Sequence, residues 1–146
     1  MAFVIAVVLL AGCGTPPAQA PPRDATTDAS YGQTVEQLTA MTRAAEGFFQ
    51  SGKRDDAAAL IEKGEPLASQ ILSVSRPTFA AMEAASDLDD LYGRMLLSSR
   101  NYAWARLLFQ KNLARWKHWE PQTPETERLL KQAESAIGEC DRRMTE

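Results

Sequence analysis

The sequence predicts an all-α fold of about five antiparallel helices, which would occupy residues 32–146. Apolar residues in this part of the chain recur three and four positions apart, as they do on one face of a helix. No segment alternates apolar and polar residues in the way that a half-buried strand does. Short turns separate the helical segments, and short turns make neighbouring helices antiparallel. The apolar fraction of 45% and the charged fraction of 24% are ordinary for one globular domain.

The first two helices are predicted between residues 34 and 72. Thr34 followed by Gln37 is typical of a capping box, so we expect the first helix to begin there and to end near Gly52. The second helix should begin near Lys53. Pro66 lies inside it, and because proline lacks the backbone N–H donor, we expect a kink or a break at that point.

The other three helices are predicted from proline, turn and capping signals. Pro77 suits the first turn of a helix, so the third helix should open at 76–77 and end before the turn at 98–101. The fourth helix should begin at Tyr102 and end before Pro121. Thr123 as N-cap and Pro124 in the first turn predict the start of the fifth helix.

Two sets of residues, 48 positions apart, place small and large side chains at matching points of successive helices. They are Gly93, Leu96, Asn101, Tyr102, Ala105 and Phe109, and earlier Ala45, Phe48, Lys53, Arg54, Ala57 and Ile61. This pattern resembles the tetratricopeptide repeat. The resemblance implies two helical hairpins followed by a C-terminal helix. Tetratricopeptide repeats are about 34 residues long, whereas the spacing here is 48 residues. An irregular helical bundle is therefore the alternative.

The beginning of the chain predicts export and attachment to a membrane. Residues 3–10 are all apolar, but a bilayer-spanning helix needs about 20 such residues, so we interpret residues 1–12 as a signal peptide. The segment Leu10-Ala11-Gly12-Cys13 follows directly and resembles the lipobox of bacterial lipoproteins. This resemblance implies a lipid on Cys13, and Gly14 in the next position implies the outer membrane, facing the periplasm, in a Gram-negative host.

Residues 13–31 contain four prolines and few large apolar side chains. This composition predicts a disordered tether that starts at the lipidated cysteine. With Cys13 lipidated, Cys140 has no disulfide partner in the chain, and its place on an apolar helical stripe predicts that it is buried.

No residue pattern points to catalysis, so we expect a protein that is not an enzyme. A single histidine excludes a metal site of several histidines, and no phosphate-binding glycine pattern is present. We therefore expect no cofactor, no metal and no small-molecule substrate. The net charge of −3 does not favour a nucleic-acid partner. Asp87, Asp89 and Asp90 lack the loop glycine of a calcium site, and we interpret them as a solvated helix face.

Six basic residues and no acidic residue lie between Arg94 and Lys117. Within this stretch a basic face with one aromatic is predicted from four residues: Arg100, Trp104, Lys111 and Arg115. Such a face suits acidic protein, anionic headgroups or cell-wall polymer. The interpretation that we favour over this binding face is that Trp104 packs under another helix and the charges are solvated.

The tetratricopeptide resemblance also implies a groove lined by the first helix of each hairpin. Its expected partner-binding residues are Thr42, Glu46, Phe49, Asp87, Asp90, Arg94 and Leu97. These features together favour a membrane-anchored lipoprotein that acts as a non-catalytic adaptor or scaffold for a protein of the bacterial cell envelope. The alternative is a structural lipoprotein that binds cell-wall or anionic envelope polymer through the basic helix.

Overall fold

A computed structural model describes residues 24–146, which form an all-α fold without strands. Five helices follow a single 3-10 turn at Ala25–Thr27: α1 (Ala29–Gln50), α2 (Arg54–Leu72), α3 (Phe79–Ser98), α4 (Tyr102–Lys117) and α5 (Pro124–Thr145). The predicted class and number of helices are thus confirmed. None of the helices in this range is both long and apolar enough to cross a bilayer.

The helices pack in sequence order around a central α3. Helices α1 and α2 pair with each other and both contact α3, α3 pairs with α4, and α4 pairs with α5. A larger apolar cluster joins α1, α2 and α3 around Leu38, Ile71 and Leu91. A smaller one joins α4 and α5 around Phe109 and Cys140, and the burial expected for Cys140 is confirmed.

Helix α1 begins at Ala29, so the predicted start at Thr34 is wrong. Thr34 lies inside the helix, where its hydroxyl donates to the carbonyl of Ser30 at 2.9 Å. Tyr31, which we had placed in the tether, is buried. Its hydroxyl donates to the Ile71 carbonyl at 3.1 Å and accepts from the Thr78 N–H at 3.3 Å. The ordered domain therefore starts before residue 32, whereas the predicted signal peptide and the tether up to residue 23 lie outside the described residues.

Pro66 does not break α2, which continues from Arg54 to Leu72. Pro66 is exposed, so water can reach the carbonyl group that its missing N–H leaves without a partner. The opposite side of α2 carries Gly64, where an added Cβ would lie 3.1 Å from Leu88. This small residue lets α2 pack closely against its neighbours.

The predicted starts of the last three helices are close to those observed. Helix α3 begins at Phe79, two residues after Pro77, because the Thr78 hydroxyl caps it by accepting from the Ala81 N–H. Helix α4 begins at Tyr102, as expected. Helix α5 begins at Pro124 behind Thr123, which forms a capping box with Thr126.

The turns of the two hairpins have the same geometry. Gly52 (φ 79°) and Arg100 (φ 63°) both adopt the left-handed conformation that ends many helices. In the first turn the Lys53 N–H donates to the Phe48 carbonyl, and in the second the Asn101 N–H donates to the Leu96 carbonyl, each at 2.9 Å. The 48-residue spacing found in the sequence thus relates two turns of equal shape.

Candidate functional site

Three of the expected partner-binding residues form an ion-pair network between α1 and α3. The Arg94 guanidinium donates to both carboxylate oxygens of Glu46, and its Nε donates to Asp90 at 2.9 Å. The Arg94 hydrogen bond is the main cause of the lowered pKa of Glu46. Gln132 of α5 donates to the other Asp90 oxygen at 3.3 Å. The charges that we expected to face a partner are therefore largely satisfied within the domain.

Three other expected partner-binding residues are partly or wholly buried. Thr42 is buried, and its hydroxyl donates to the Leu38 carbonyl within α1 at 3.0 Å, so the prediction that it faces a partner is wrong. Phe49 packs against the cluster of α1, α2 and α3, and Leu97 packs against the cluster of α4 and α5. Phe49 thus belongs to the core, whereas Leu97 also lines an open groove between α3 and α5.

Asp87, the last of the seven, keeps exposed surface on α3. The pKa of its carboxyl group is raised to about 6, first because the group is partly removed from water and then because Glu83 and Asp90 lie nearby. Between α3 and α5 there is an open groove of about 730 Å³, lined by Asp90, Arg94, Glu139 and others. Glu139 is itself paired with Arg142 at 2.6 Å, so this groove also presents charges that already have partners.

Asp89 is buried, so the interpretation of the three aspartates as a solvated face is wrong for this residue. Its two carboxylate oxygens accept from Lys111 and from Arg115, each at 3.0 Å. The Arg115 side chain is only 6% exposed, which removes it from the predicted basic face. Because α3 packs against α4 here, the acid of one helix neutralises the bases of the other.

A polar contact between α3 and α4 continues beside this ion pair. Asn112 donates to the Ser86 carbonyl and the Trp116 indole donates to the Ser86 hydroxyl, each at 2.9 Å. We call these five residues the polar seam: Ser86, Asp89, Asn112, Arg115 and Trp116. Its buried polar atoms all have partners, which is the condition under which a buried polar network stabilises a fold.

Four of the six basic residues between 94 and 117 are ion-paired. Arg106 binds Asp141 of α5 at 2.6 Å, and the pairs of Arg94, Lys111 and Arg115 are given above. Arg100 and Lys117 form no ion pair with any residue between 24 and 146. Most of the positive charge that is concentrated in this stretch of the sequence is thus neutralised in the fold.

The outer side of α4 presents the largest exposed apolar side chains of the described residues. Trp104 is 67% exposed and Leu107 is 53% exposed, so the favoured interpretation, that Trp104 packs under another helix, is wrong. Both line a groove of about 580 Å³ between α3 and α4, which we call the α4 groove. Its other lining residues are Tyr92, Leu96, Asn101, Leu108 and Lys111. This arrangement suits an apolar ligand surface bordered by one cation.

Sequence reasoning found Trp104 and Lys111 but missed the floor of the α4 groove. Tyr92, Leu96 and Leu108 are not among the predicted site residues, yet each keeps partial exposure. The available signal was that α4 has apolar residues on two sides, since Trp104 and Leu107 lie away from the stripe of Phe109 and its neighbours. A helix with two apolar sides usually contacts something on each of them.

The comparisons with known proteins add no relatives: the chain matches no protein-family model, and no curated protein or solved structure is significantly similar to it. Among residues 24–146, no three His, Cys, Asp or Glu side chains are placed to hold a metal ion together.

Proposed function

We propose that this chain is a membrane-anchored lipoprotein of the bacterial cell envelope, and that its helical domain is a non-catalytic adaptor or scaffold for another protein. The anchor is supported by the apolar run 3–10 followed by the lipobox-like Leu10-Ala11-Gly12-Cys13. Two or more acyl chains on Cys13 would hold the protein on the membrane stably, where one chain would be marginal. In a Gram-negative host the domain would face the periplasm from the outer membrane.

The observation that carries the binding function is the exposure of Trp104 and Leu107 beside the α4 groove. Large apolar side chains that are this exposed and adjacent to one another commonly mark an interaction site. Tryptophan in particular is enriched among residues that dominate binding energy at protein interfaces. The tetratricopeptide-like spacing of the two hairpins supports the same proposal, because stacked helical hairpins form extended binding surfaces.

The rival function, in which the basic helix binds cell-wall or anionic envelope polymer, has less support. Arg106, Lys111 and Arg115 each have an acidic partner within the domain. Only Arg100 and Lys117 of the predicted basic helix remain without an ion pair among residues 24–146. Two separated cations are a weak basis for binding an anionic polymer.

The anchor is tested by replacing each of the two cysteines in turn. We expect Cys13→Ser to move the protein from the membrane fraction to the soluble fraction, because the lipid attachment site is lost. Cys140→Ser is the matched control and should stay in the membrane fraction, since Cys140 is buried in the domain. Membrane retention of a Cys13→Ser protein whose signal peptide has been removed would contradict the anchor.

The adaptor function is tested by crosslinking in native membranes followed by partner capture. We expect one envelope protein to be enriched with the wild-type chain and lost with Trp104→Ala. Met144→Ala removes another exposed apolar side chain, at the far end of α5, and should leave the capture unchanged. Absence of any specific partner with all three proteins would refute the adaptor, and capture that survives Trp104→Ala but not Arg94→Ala would move the site to α1 and α3.

A further inference from the structure

The α4 groove continues into a second groove along the same side of the domain. This second groove has a volume of about 460 Å³ and lies between α2 and α4, with Leu88 of α3 among its lining residues. Leu108 and Lys111 line both, so the two form one channel across α3. From Asn101 to Arg115, which line its two ends, this channel is about 20 Å long, given a rise of about 1.5 Å per helical residue.

The two walls of the channel differ in charge. Glu65 and Ser69 of α2 line it. Glu62 precedes Ser69 by seven positions and Asp55 precedes Glu62 by seven. Both acids therefore lie on the same stripe of α2 as Ser69. Asp55, Glu62 and Glu65 are exposed and take part in no ion pair among residues 24–146. The opposite wall, α4, contains no acidic residue. Its Lys111 is paired with Asp89 on the floor of the channel at 3.0 Å, although the Lys111 side chain is 57% exposed.

The chemistry of the walls discriminates between possible occupants. An extended peptide would need backbone partners, but the N–H and C=O groups of α2, α3 and α4 are used within the helices, so a helical segment that satisfies its own backbone fits better. A second copy joined through α4 would offer the acidic wall of α2 no free cation from Lys111 or Arg115, since both are already paired with its own Asp89. An anionic bilayer would be repelled by the acidic wall of α2.

We infer that the channel between α2 and α4 binds one amphipathic helix of a partner protein, about four turns long. Its apolar side chains, three and four positions apart, pack on Trp104, Leu107 and the floor of the α4 groove. Its basic flank faces the acids of the α2 wall, and its acidic flank lies along α4, where the Lys111 side chain is 57% exposed although it is paired with Asp89. This inference depends on the proposed adaptor function and specifies the partner segment that the adaptor recognises.

The test uses two synthetic helical peptides and the full-length chain in phosphatidylcholine nanodiscs. Both peptides have about four turns and the same leucine stripe, with a glutamate flank and a lysine flank. In the second peptide the two flanks are exchanged, which preserves composition, length and hydrophobicity. Fluorescence anisotropy of the labelled peptides measures their Kd, and amide chemical shifts locate the contact.

We expect the first peptide to bind at α2, α3 and α4 and the flank-exchanged peptide to bind several-fold more weakly. Trp104→Ala should weaken the first peptide about tenfold or more, as removal of a central aromatic anchor does. Met144→Ala should leave its Kd within about twofold, as expected for a residue outside the contact. Glu62→Lys/Glu65→Lys should reduce the difference between the two peptides.

Three results would overturn the inference. They are equal binding of the two peptides, binding that survives Trp104→Ala, and Trp104-dependent binding to phosphatidylglycerol vesicles or to a second copy of the chain in place of the peptide. The adaptor function can survive the failure of this inference. A partner captured from native membranes independently of Trp104 would support the adaptor function and refute this binding mode.

Discussion

The α1–α2 and α3–α4 hairpins share a turn geometry but differ in how their two helices meet. In the second hairpin, α3 and α4 meet through the polar seam. The residues 48 positions earlier are Leu38, Met41, Gly64, Leu67 and Ala68. Leu38 is fully buried and Leu67 packs against the same cluster, so the first hairpin has an apolar seam. One helical frame therefore accepts either kind of contact, provided that every buried polar group has a partner.

The outer faces of the two hairpins also differ, but here the second hairpin is the more apolar one. Asp56 and Ala59 are exposed on α2 at the positions that Trp104 and Leu107 occupy on α4. Because α2 folds with a small or charged residue at these positions, the hairpin geometry does not require large apolar side chains there. The apolar surface of α4 is an addition to the frame, which is why we assign it to binding.

The largest expected effect comes from converting one side of the polar seam into its apolar counterpart. Asp89→Met places the residue found 48 positions earlier, but it leaves the buried Arg115 guanidinium without its carboxylate. We expect a loss of about 3 kcal/mol in the free energy of unfolding, typical of breaking a buried ion pair. Urea denaturation measures the change.

The double variant Asp89→Met/Arg115→Leu replaces the ion pair of the seam by the two apolar residues of the first hairpin and should recover most of that loss, since well-packed apolar residues can replace a buried ion pair. Glu125→Gln removes an exposed ion pair with Arg128 and serves as a control that should change little. If the double variant is no more stable than Asp89→Met, the unpaired Arg115 is not the source of the loss.

A smaller effect is expected where α3 and α4 approach most closely. An added Cβ on Gly93 would lie 2.6 Å from Cε1 of Phe109, whereas the first hairpin has Ala45 and Ile61 at these two positions. Gly93→Ala should therefore cost about 1–2 kcal/mol through overpacking, even though alanine favours helix. Thermal and urea unfolding measure the change.

Gly93→Ala/Phe109→Ile reproduces the pair of the first hairpin and should be more stable than the sum of the two single changes predicts, with a coupling of about 1 kcal/mol or more. Additive single effects would mean that the glycine is not matched to the size of Phe109. Gly32→Ala, where an added Cβ meets no atom within 4 Å, controls for the helix preference of alanine.

The helices were predictable because their signals are local. The turn at 98–101 and the cap and proline at 123–124 depend on neighbouring residues. The burial of Asp89 and Arg115 was not predictable, because it depends on which helix faces which, and charged residues are normally placed outside. Tyr31 was missed for a related reason, since its partners Ile71 and Thr78 are distant in sequence and its neighbours before residue 29 have a loop composition.

The candidate site was predictable only in part. The excess of positive charge around α4 is visible in the sequence, but its neutralisation by Asp89 and Asp141 is a tertiary effect. Trp104 stood out because it lies off the core stripe, and the structure decides between burial and exposure. On α1 and α3, by contrast, Glu46 and Arg94 were expected to bind a partner protein, but they form an ion pair with each other.

The smallest expected effect distinguishes the two turns. Gly52 and Arg100 share a left-handed conformation, which is favourable for glycine and costs an arginine about 1 kcal/mol. Arg100→Gly should therefore stabilise the domain by about 0.5–1 kcal/mol and raise its Tm by a few degrees, while Gly52→Ala should lower its stability by a similar amount. Because Arg100 has no ion pair among residues 24–146, no ion pair is lost in this variant. A loss of stability in Arg100→Gly would show instead that the arginine side chain contributes to holding the end of α3, and the equivalence of the two turns would then hold for the backbone alone.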